Sequence, residues 1–196
     1  MGAGFYWLVG AAVVLVAIIL IYNKLVTLRN RFLNGFSQIE VQLQRRYELI
    51  PNLVETASAY MKHENETLMA VTQARNNASE RCTEAAKDPQ DASLVGALAS
   101  AEGMLTNAMG RLNVVMENYP DLKADAQMRD LAEELASTEN RVAFSRQAYS
   151  DAVMTYNTAR EQFPAVLVAS AFAFKEADLF EAEDPAMRQP VKVSFA

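Results

Sequence analysis

The sequence predicts an all-α protein: a single N-terminal transmembrane helix, followed by an antiparallel bundle of three long helices and one short one. Three observations lead there. Residues 1–23 contain no charged side chain, whereas all 18 Lys and Arg and all 24 Asp and Glu lie at Lys24 or later. From Leu25 onward apolar residues recur in steps of three and four, the signature of helices that bury one stripe. The interruptions between these periodic runs are short, and short connections make neighbouring helices antiparallel.

The first element is the run FYWLVGAAVVLVAIILIY at residues 5–22. As a helix it is ~27 Å long at 1.5 Å per residue, close to the ~30 Å of a hydrocarbon core. Phe5, Tyr6 and Trp7 mark one end and Tyr22 the other, as aromatic belts do. A secretory signal peptide requires a basic n-region and a small-x-small cleavage site after the apolar run. Here LIYNKL follows instead, so the segment reads as an uncleaved anchor over 1–23. A buried helix of a soluble core is disfavoured, because the run is apolar on every face. The cations after the span, Lys24, Arg29 and Arg31 and then Arg45 and Arg46, place the following domain in the cytoplasm and a short N-terminus outside. The first three also sit where they touch anionic lipid, an ordinary juxtamembrane role.

The second element is one long helix from residue 25 to about 85. Its stripe is Leu25, Leu28, Phe32, Phe36, Ile39, Leu43, Ile50, Leu53, Ala57, Tyr60, Leu68, Val71, Ala74 and Ala78. Pro51 falls inside it. A helix that stopped there and restarted would want a Ser, Thr, Asp or Asn cap, yet Ile50 precedes the proline and no glycine stands close by. The apolar phase also continues across it. The expectation is a helix bent at Pro51, with the Tyr47 carbonyl deprived of its usual donor.

A break follows at KDPQDASL, where Asp88 reads as a cap, Pro89 as the first helical residue and Asp91 as first-turn negative charge. The next helix, about 27 residues, carries a seam at Leu94, Leu98, Ala101, Leu105, Ala108, Leu112, Val115 and Tyr119. Pro120 and Asp121 in ENYPDLKAD signal the start of a third. Its seam runs Met128, Leu131, Leu135, Thr138, Val142, Ser145, Tyr149, Ala152, Tyr156, Ala159 and Phe163. Pro164 then opens a short apolar segment to about Phe174, completing a helical domain over 24–174. The tail, 175–196, has no sustained period and reads as extended or loosely ordered, with Phe180 as the residue that docks on the bundle. The first helix outruns the second, so part of its stripe needs cover from the third helix, the tail or other copies of the chain.

Composition narrows the chemistry. A net charge of −6 disfavours binding to nucleic acid phosphates. The single cysteine, Cys82, reads as a buried or half-buried thiol, and with one histidine the chain lacks a Cys/His zinc set. His63-Glu64 resembles the start of a zinc-protease helix, but the second histidine would stand at Thr67. No serine–histidine–acid set or glycine-rich phosphate loop is present. A catalytic role, a cofactor and a metal are therefore not expected. Tyr119 and Tyr156 lie on apolar seams, where packing with a hydroxyl hydrogen bond is the default. The polar residues on or beside the seams are Arg46, Glu64, Arg75, Glu139, Asn140, Arg141 and Asn157. They admit two readings: interhelical pairs that fix register, or a groove for a partner peptide or acidic headgroup.

Several motifs resemble the LemA family: Arg45-Arg46-Tyr47, Ile50-Pro51-Asn52-Leu53-Val54, His63-Glu64, Tyr119-Pro120-Asp121-Leu122, Glu139-Asn140-Arg141, Tyr156-Asn157 and Phe163-Pro164. The resemblance runs from the span to about Phe180. Members often carry a glycine–aromatic pair late in the fourth segment, where this chain has Ala171-Phe172. The resemblance implies a bacterial single-span plasma-membrane protein with a cytoplasmic helical bundle and no established catalytic activity. The long first helix, its uncovered stripe and the missing catalytic set lead to the expectation of a non-enzymatic structural scaffold that contacts membrane lipid and forms a homo-oligomer. The alternative is an adaptor for a membrane peptidase or envelope-stress system, since the family is often linked with membrane peptidases.

Overall fold

The computed structural model describes residues 3–180. Helix α1, Ala3–Tyr60, runs without interruption through Pro51. Pro51 has no N–H to give the Tyr47 carbonyl, but Arg75 Nε donates to that oxygen at 2.9 Å. The proline is thus tolerated because a neighbouring helix supplies the donor that the backbone lost.

The single helix expected over 25–85 is instead a hairpin. α1 ends at Tyr60, residues 61–64 turn, and α2, Asn65–Lys87, returns along α1. Arg75 lies beside Tyr47 across the pair. Met61 is fully buried at the turn, and Glu64 N–H bonds the Met61 carbonyl at 3.1 Å. The sequence contains the reason in KHENET, residues 62–67, six consecutive polar side chains with nothing to bury. The stripe resumes at Leu68 in the old phase, so periodicity alone does not separate a straight helix from a hairpin. Energetics does: folding back lets the two halves of the stripe cover each other.

α3, Ala92–Met116, begins after a turn at 88–91. Its cap is Asp91, whose carboxylate accepts from Ser93 N–H at 2.8 Å, not Asp88. Asp88 closes α2 and accepts from Gln90 N–H. The inward seam keeps Leu98, Ala101, Leu105 and Leu112 as expected, but its alternate positions lie one residue later: Val95, Glu102, Met109 and Met116 are buried, while Leu94, Ala108, Val115 and Tyr119 are only partly so. Pro120 starts a separate single turn, α4, Pro120–Ala124. The long helix α5, Ala126–Glu161, is capped by Asp125, which accepts from Met128 N–H at 2.9 Å. Its core residues follow the expected seam except at two positions: Ser145, mid-helix, is half-buried and Phe163 lies beyond the helix, exposed.

The result is an up-down-up-down arrangement of four long helices, α1, α2, α3 and α5, with two short ones. α1 pairs with α5 and α2, and α2 with α3. Three contacts fix the antiparallel α1–α5 register. Tyr60 donates to Asp125, Arg46 to Glu139, and Gly35 meets the backbone of Tyr149. A Cβ at Gly35 would lie 3.3 Å from Tyr149 Cα. The glycine therefore permits close approach of two backbones rather than a turn. Below it Phe32 and Phe36 pack edge-on against Tyr149, and Phe32 stands 5.0 Å from the Tyr156 ring.

α6, Ala165–Ala171, ends in a Schellman motif: Phe174 N–H bonds the Ala169 carbonyl at 2.9 Å and Ala173 N–H the Ser170 carbonyl. Ala173 has φ 54, the left-handed region. The position that calls for glycine is thus Ala173, next to buried Phe174, not Ala171. Beyond it the chain is extended along α5. The Tyr156 hydroxyl donates to the Lys175 carbonyl and the Tyr149 hydroxyl to that of Asp178. Asn157 holds both the N–H and C=O of Ala177, at 3.1 and 2.7 Å. Phe180 is buried under the Arg146 guanidinium, 4.4 Å from its ring centroid. The part of the tail expectation that concerns 181–196 lies outside the described residues.

The N-terminal part of α1 has no such cover. Phe5, Tyr6, Trp7 and the apolar residues up to Leu20 are exposed over nearly every position, and the helix is long and apolar enough to cross a membrane. An all-round apolar helix without a protein partner requires a non-aqueous medium, which makes the chain membrane-associated. Tyr22 closes the run, ring to ring with Phe172 at 5.0 Å and Phe174 at 5.5 Å.

Candidate functional site

Polar side chains converge at mid-height of the bundle. Glu102 stands on the inward seam of α3 and is 1% exposed. One carboxylate oxygen accepts from the Tyr47 hydroxyl at 2.5 Å. The other accepts from Arg46 Nη1 at 2.9 Å and from Arg146 Nη2 at 3.3 Å. Arg46 also donates to Glu139 at 3.0 Å. Three residues, Arg46 and Tyr47 of α1 and Arg146 of α5, thus close on one acid of α3, joining three helices, with Glu139 of α5 behind Arg46. α3 and α5 make no close backbone approach, so this cluster is what links them at this height. A buried charge is costly unless its lone pairs are satisfied, and Glu102 meets that condition on both oxygens.

The electrostatics follow from burial. Desolvation, then the Glu102 charge and its hydrogen bond, push the Tyr47 phenol far above its ordinary value, so it remains a donor. Burial lowers the Arg146 pKa, with Glu102 opposing. Burial, with Glu40 and Glu102 nearby, pushes the Cys82 thiol up to about 12. A buried neutral thiol is a poor nucleophile. The Tyr149 phenol is pushed to about 12 by burial and Asp178.

Of the seven polar residues singled out by sequence, Arg46 and Glu139 meet each other, and Arg75 joins the same region through the Tyr47 carbonyl. Glu64 is apart, accepting from the Tyr119 hydroxyl at 3.3 Å near the α1–α2 turn. Asn157 holds the extended segment at the opposite end. Asn140 and Arg141 are exposed on the outer face of α5, where they line an open groove against α1 with Gln38, Gln42 and Phe144. The set therefore does not form one site. His63 is exposed in the turn, and among the described residues no group of three His, Cys, Asp or Glu is placed to hold a metal.

Sequence reasoning missed Glu102, Arg146 and Tyr47. The signal for Glu102 was available: with the seam in its true phase, one acid interrupts Val95, Leu98, Leu105, Met109 and Leu112 at core spacing. Taking alternate positions of the seam one residue early left that acid outside it. Arg146 had no such marker, because its side chain reaches the core from a flanking position.

Comparison with known proteins agrees with this architecture. The model of the LemA family matches residues 35–195. Magnetosome protein MamQ 2 of Paramagnetospirillum magneticum is 29% identical over 185 residues, covering 87% of this chain and 68% of that protein. Magnetosome protein MamQ of Magnetospirillum gryphiswaldense is 27% identical over the same shares. Protein LemA of Metamycoplasma hominis is 25% identical, covering 83% of this chain and 69% of its own length. None of these names is that of an enzyme. The motifs that suggested the family lie within α1, at the two interhelical turns, along α5 and at the start of α6, and on the match over four-fifths of its length this chain belongs to the LemA family.

Proposed function

We propose that the protein is a non-enzymatic scaffold of the bacterial plasma membrane, fixed by residues 1–23 and presenting its bundle on the cytoplasmic side to other copies of itself. The observation that carries this reading is the outer α1–α5 face. There Phe144 is 78% exposed and Val41 is also exposed, beside the groove lined by Gln38, Gln42, Asn140 and Arg141. Two long helices locked in register make that face stiff, as a surface for repeated contacts requires. A large aromatic standing free on a rigid wall is the kind of anchor that interfaces use. The buried Glu102 carboxylate is satisfied on both oxygens by Tyr47, Arg46 and Arg146, which supports a structural role for the cluster rather than chemistry. The cations Lys24, Arg29 and Arg31 after the span support the cytoplasmic orientation.

Sizing of the full chain in mild detergent over a range of concentrations tests the reading. Expected is a species larger than the monomer, reduced in size by F144E with the helical content unchanged. A monomer at every concentration overturns self-assembly. Recovery of a membrane peptidase in fixed ratio, with the protein itself monomeric, would replace the scaffold by the adaptor reading.

A further inference from the structure

Near the end of the span the bundle shows a second apolar surface that its own packing leaves open. Residues 162–174 carry no charge. Within them α6 buries Val168 and Ala169 against the bundle, where it packs on both α1 and α5. The other side of the segment is free: Phe163 is 80%, Leu167 62% and Phe172 55% exposed. These side chains are held in place by the buried half of the same short segment, so their exposure is a fixed feature of the fold.

Their height decides what they meet. The α1–α5 register, with Tyr60 beside Asp125, Arg46 beside Glu139 and Gly35 against Tyr149, brings Glu161, the last residue of α5, level with Asn23 and Lys24, and Phe163 follows two residues later. Tyr22 is the aromatic that closes the charge-free run, and its ring touches Phe172. Ile18 and Ile21, within that run, are partly covered by the core. The foot of the bundle therefore reaches the last turn of the membrane helix instead of standing off from it. Other exposed apolar side chains, such as Val114 and Met69, are remote from the span, on α3 and α2.

From this juxtaposition we infer that α6 and its flanking aromatics lie in the lipid headgroup region as a second, in-plane membrane contact beside the span. An apolar face at that depth enters the boundary of headgroups and acyl chains by ~5–10 Å. The contact is apolar in kind. Arg29, over the Phe174 ring, and Lys175 flank the segment, and Arg160 is engaged by Glu161 and Glu176; the exposed side chains themselves carry no charge, so attachment does not require anionic lipid. The consequence is mechanical. A single helix leaves a domain free to tilt and rotate; a second contact on one side fixes which face of the bundle looks along the membrane.

The inference rests on residues 4–22 spanning the bilayer, and the test separates the two. The full chain carries one tryptophan, Trp7. In a W7F background, single variants L167W, F163W, V114W and L15W are placed in phosphatidylcholine vesicles, with and without phosphatidylglycerol. Emission is then quenched from the lipid side by a shallow doxyl lipid and from the water side by acrylamide. Expected is lipid quenching of the L167W and F163W forms several-fold stronger than of V114W, in both vesicle types, with acrylamide showing the reverse order. Acrylamide quenching of L167W and F163W equal to that of V114W overturns the proposal. So does shielding from both quenchers, which marks cover by a second protein copy. L15W reports on the span: if it too escapes lipid quenching, the anchor reading fails along with the inference, whereas lipid quenching of L15W alone defeats only the contact at α6.

Discussion

The bond from Arg75 to the Tyr47 carbonyl yields a prediction that isolates one physical cause. Pro51 removes the helical donor for that oxygen, and Arg75 Nε replaces it at 2.9 Å. Substituting Arg75 by methionine keeps most of the apolar stem and deletes the donor. Tyr47 is fully buried, so its carbonyl would be left unpaired. Hydrogen bonds from charged donors are worth ~1.5–3 kcal/mol. Arg75 is only half-buried and also touches Asn76, which points to the lower end, about 2 kcal/mol. In a P51A background the residue-51 N–H returns to the helix and serves Tyr47. There R75M should cost under about 1 kcal/mol, a coupling of at least about 1 kcal/mol. The assay is urea unfolding of the full chain in dodecyl maltoside micelles, followed by helical circular dichroism and extrapolated linearly. Equal penalties for R75M in both backgrounds would show that Arg75 acts by packing alone, and the account of how the helix tolerates its proline would be wrong.

Three further outcomes follow from the same structure. E102Q should destabilise by about 3 kcal/mol, the low end for breaking a buried pair, because Arg46 keeps the half-exposed Glu139 as a partner; the same unfolding assay reads it, and a cost under about 1 kcal/mol would mean the cluster is not a structural lock. G35V should cost about 1–3 kcal/mol by forcing α1 away from the Tyr149 backbone, while V41A, on the exposed side of α1, should stay within about 0.5 kcal/mol in thermal melts. The Cys82 thiol is raised from 9.0 to about 12 in the fold. Its contribution is therefore complete below pH 9 and is lost between pH 9 and 12, as the unfolded chain releases the proton first. The stability advantage over C82A should shrink across that window, and a constant difference would show that burial does not hold the thiol neutral.

The expected fold and the observed one part company at identifiable places. The three turns were legible as places where polar residues and prolines cluster, yet their caps were assigned one step early. Asp88 gave way to Asp91, and the start signal at Pro120-Asp121 opened only the single turn α4, the long helix being capped by Asp125. Several oxygen-bearing side chains stood close enough to each helix start, and only the final backbone angles chose among them. The hairpin at 61–64 was lost for a different reason: the apolar phase after KHENET matches the phase before it. Of the candidate polar set, Arg46 and Glu139 were visible on their seams, but Glu102 was lost because alternate positions of the α3 seam were placed one residue early, while Leu98, Leu105 and Leu112 were placed correctly. A step of one residue is about 100° around a helix, so moving alternate positions by one turns the inferred face by about half of that.

The sequence by itself determined that the chain is helical, that one segment is apolar on all sides, that Pro51 does not stop its helix, and that the family is LemA. The first three are properties of local composition and period, which act within a few turns; the family rests on the resemblance of motifs such as Arg45-Arg46-Tyr47 and Tyr119-Pro120-Asp121-Leu122. Tertiary structure alone decided that residues 25–87 fold back on themselves, that a carbonyl orphaned by proline finds an arginine 28 positions away, that one acid joins three helices, and that α6 comes to rest beside the end of the span. Each of these depends on groups far apart in the chain meeting at hydrogen-bonding or van der Waals range. Their free energy is set by which other surfaces are already buried, and no local window of sequence contains that information.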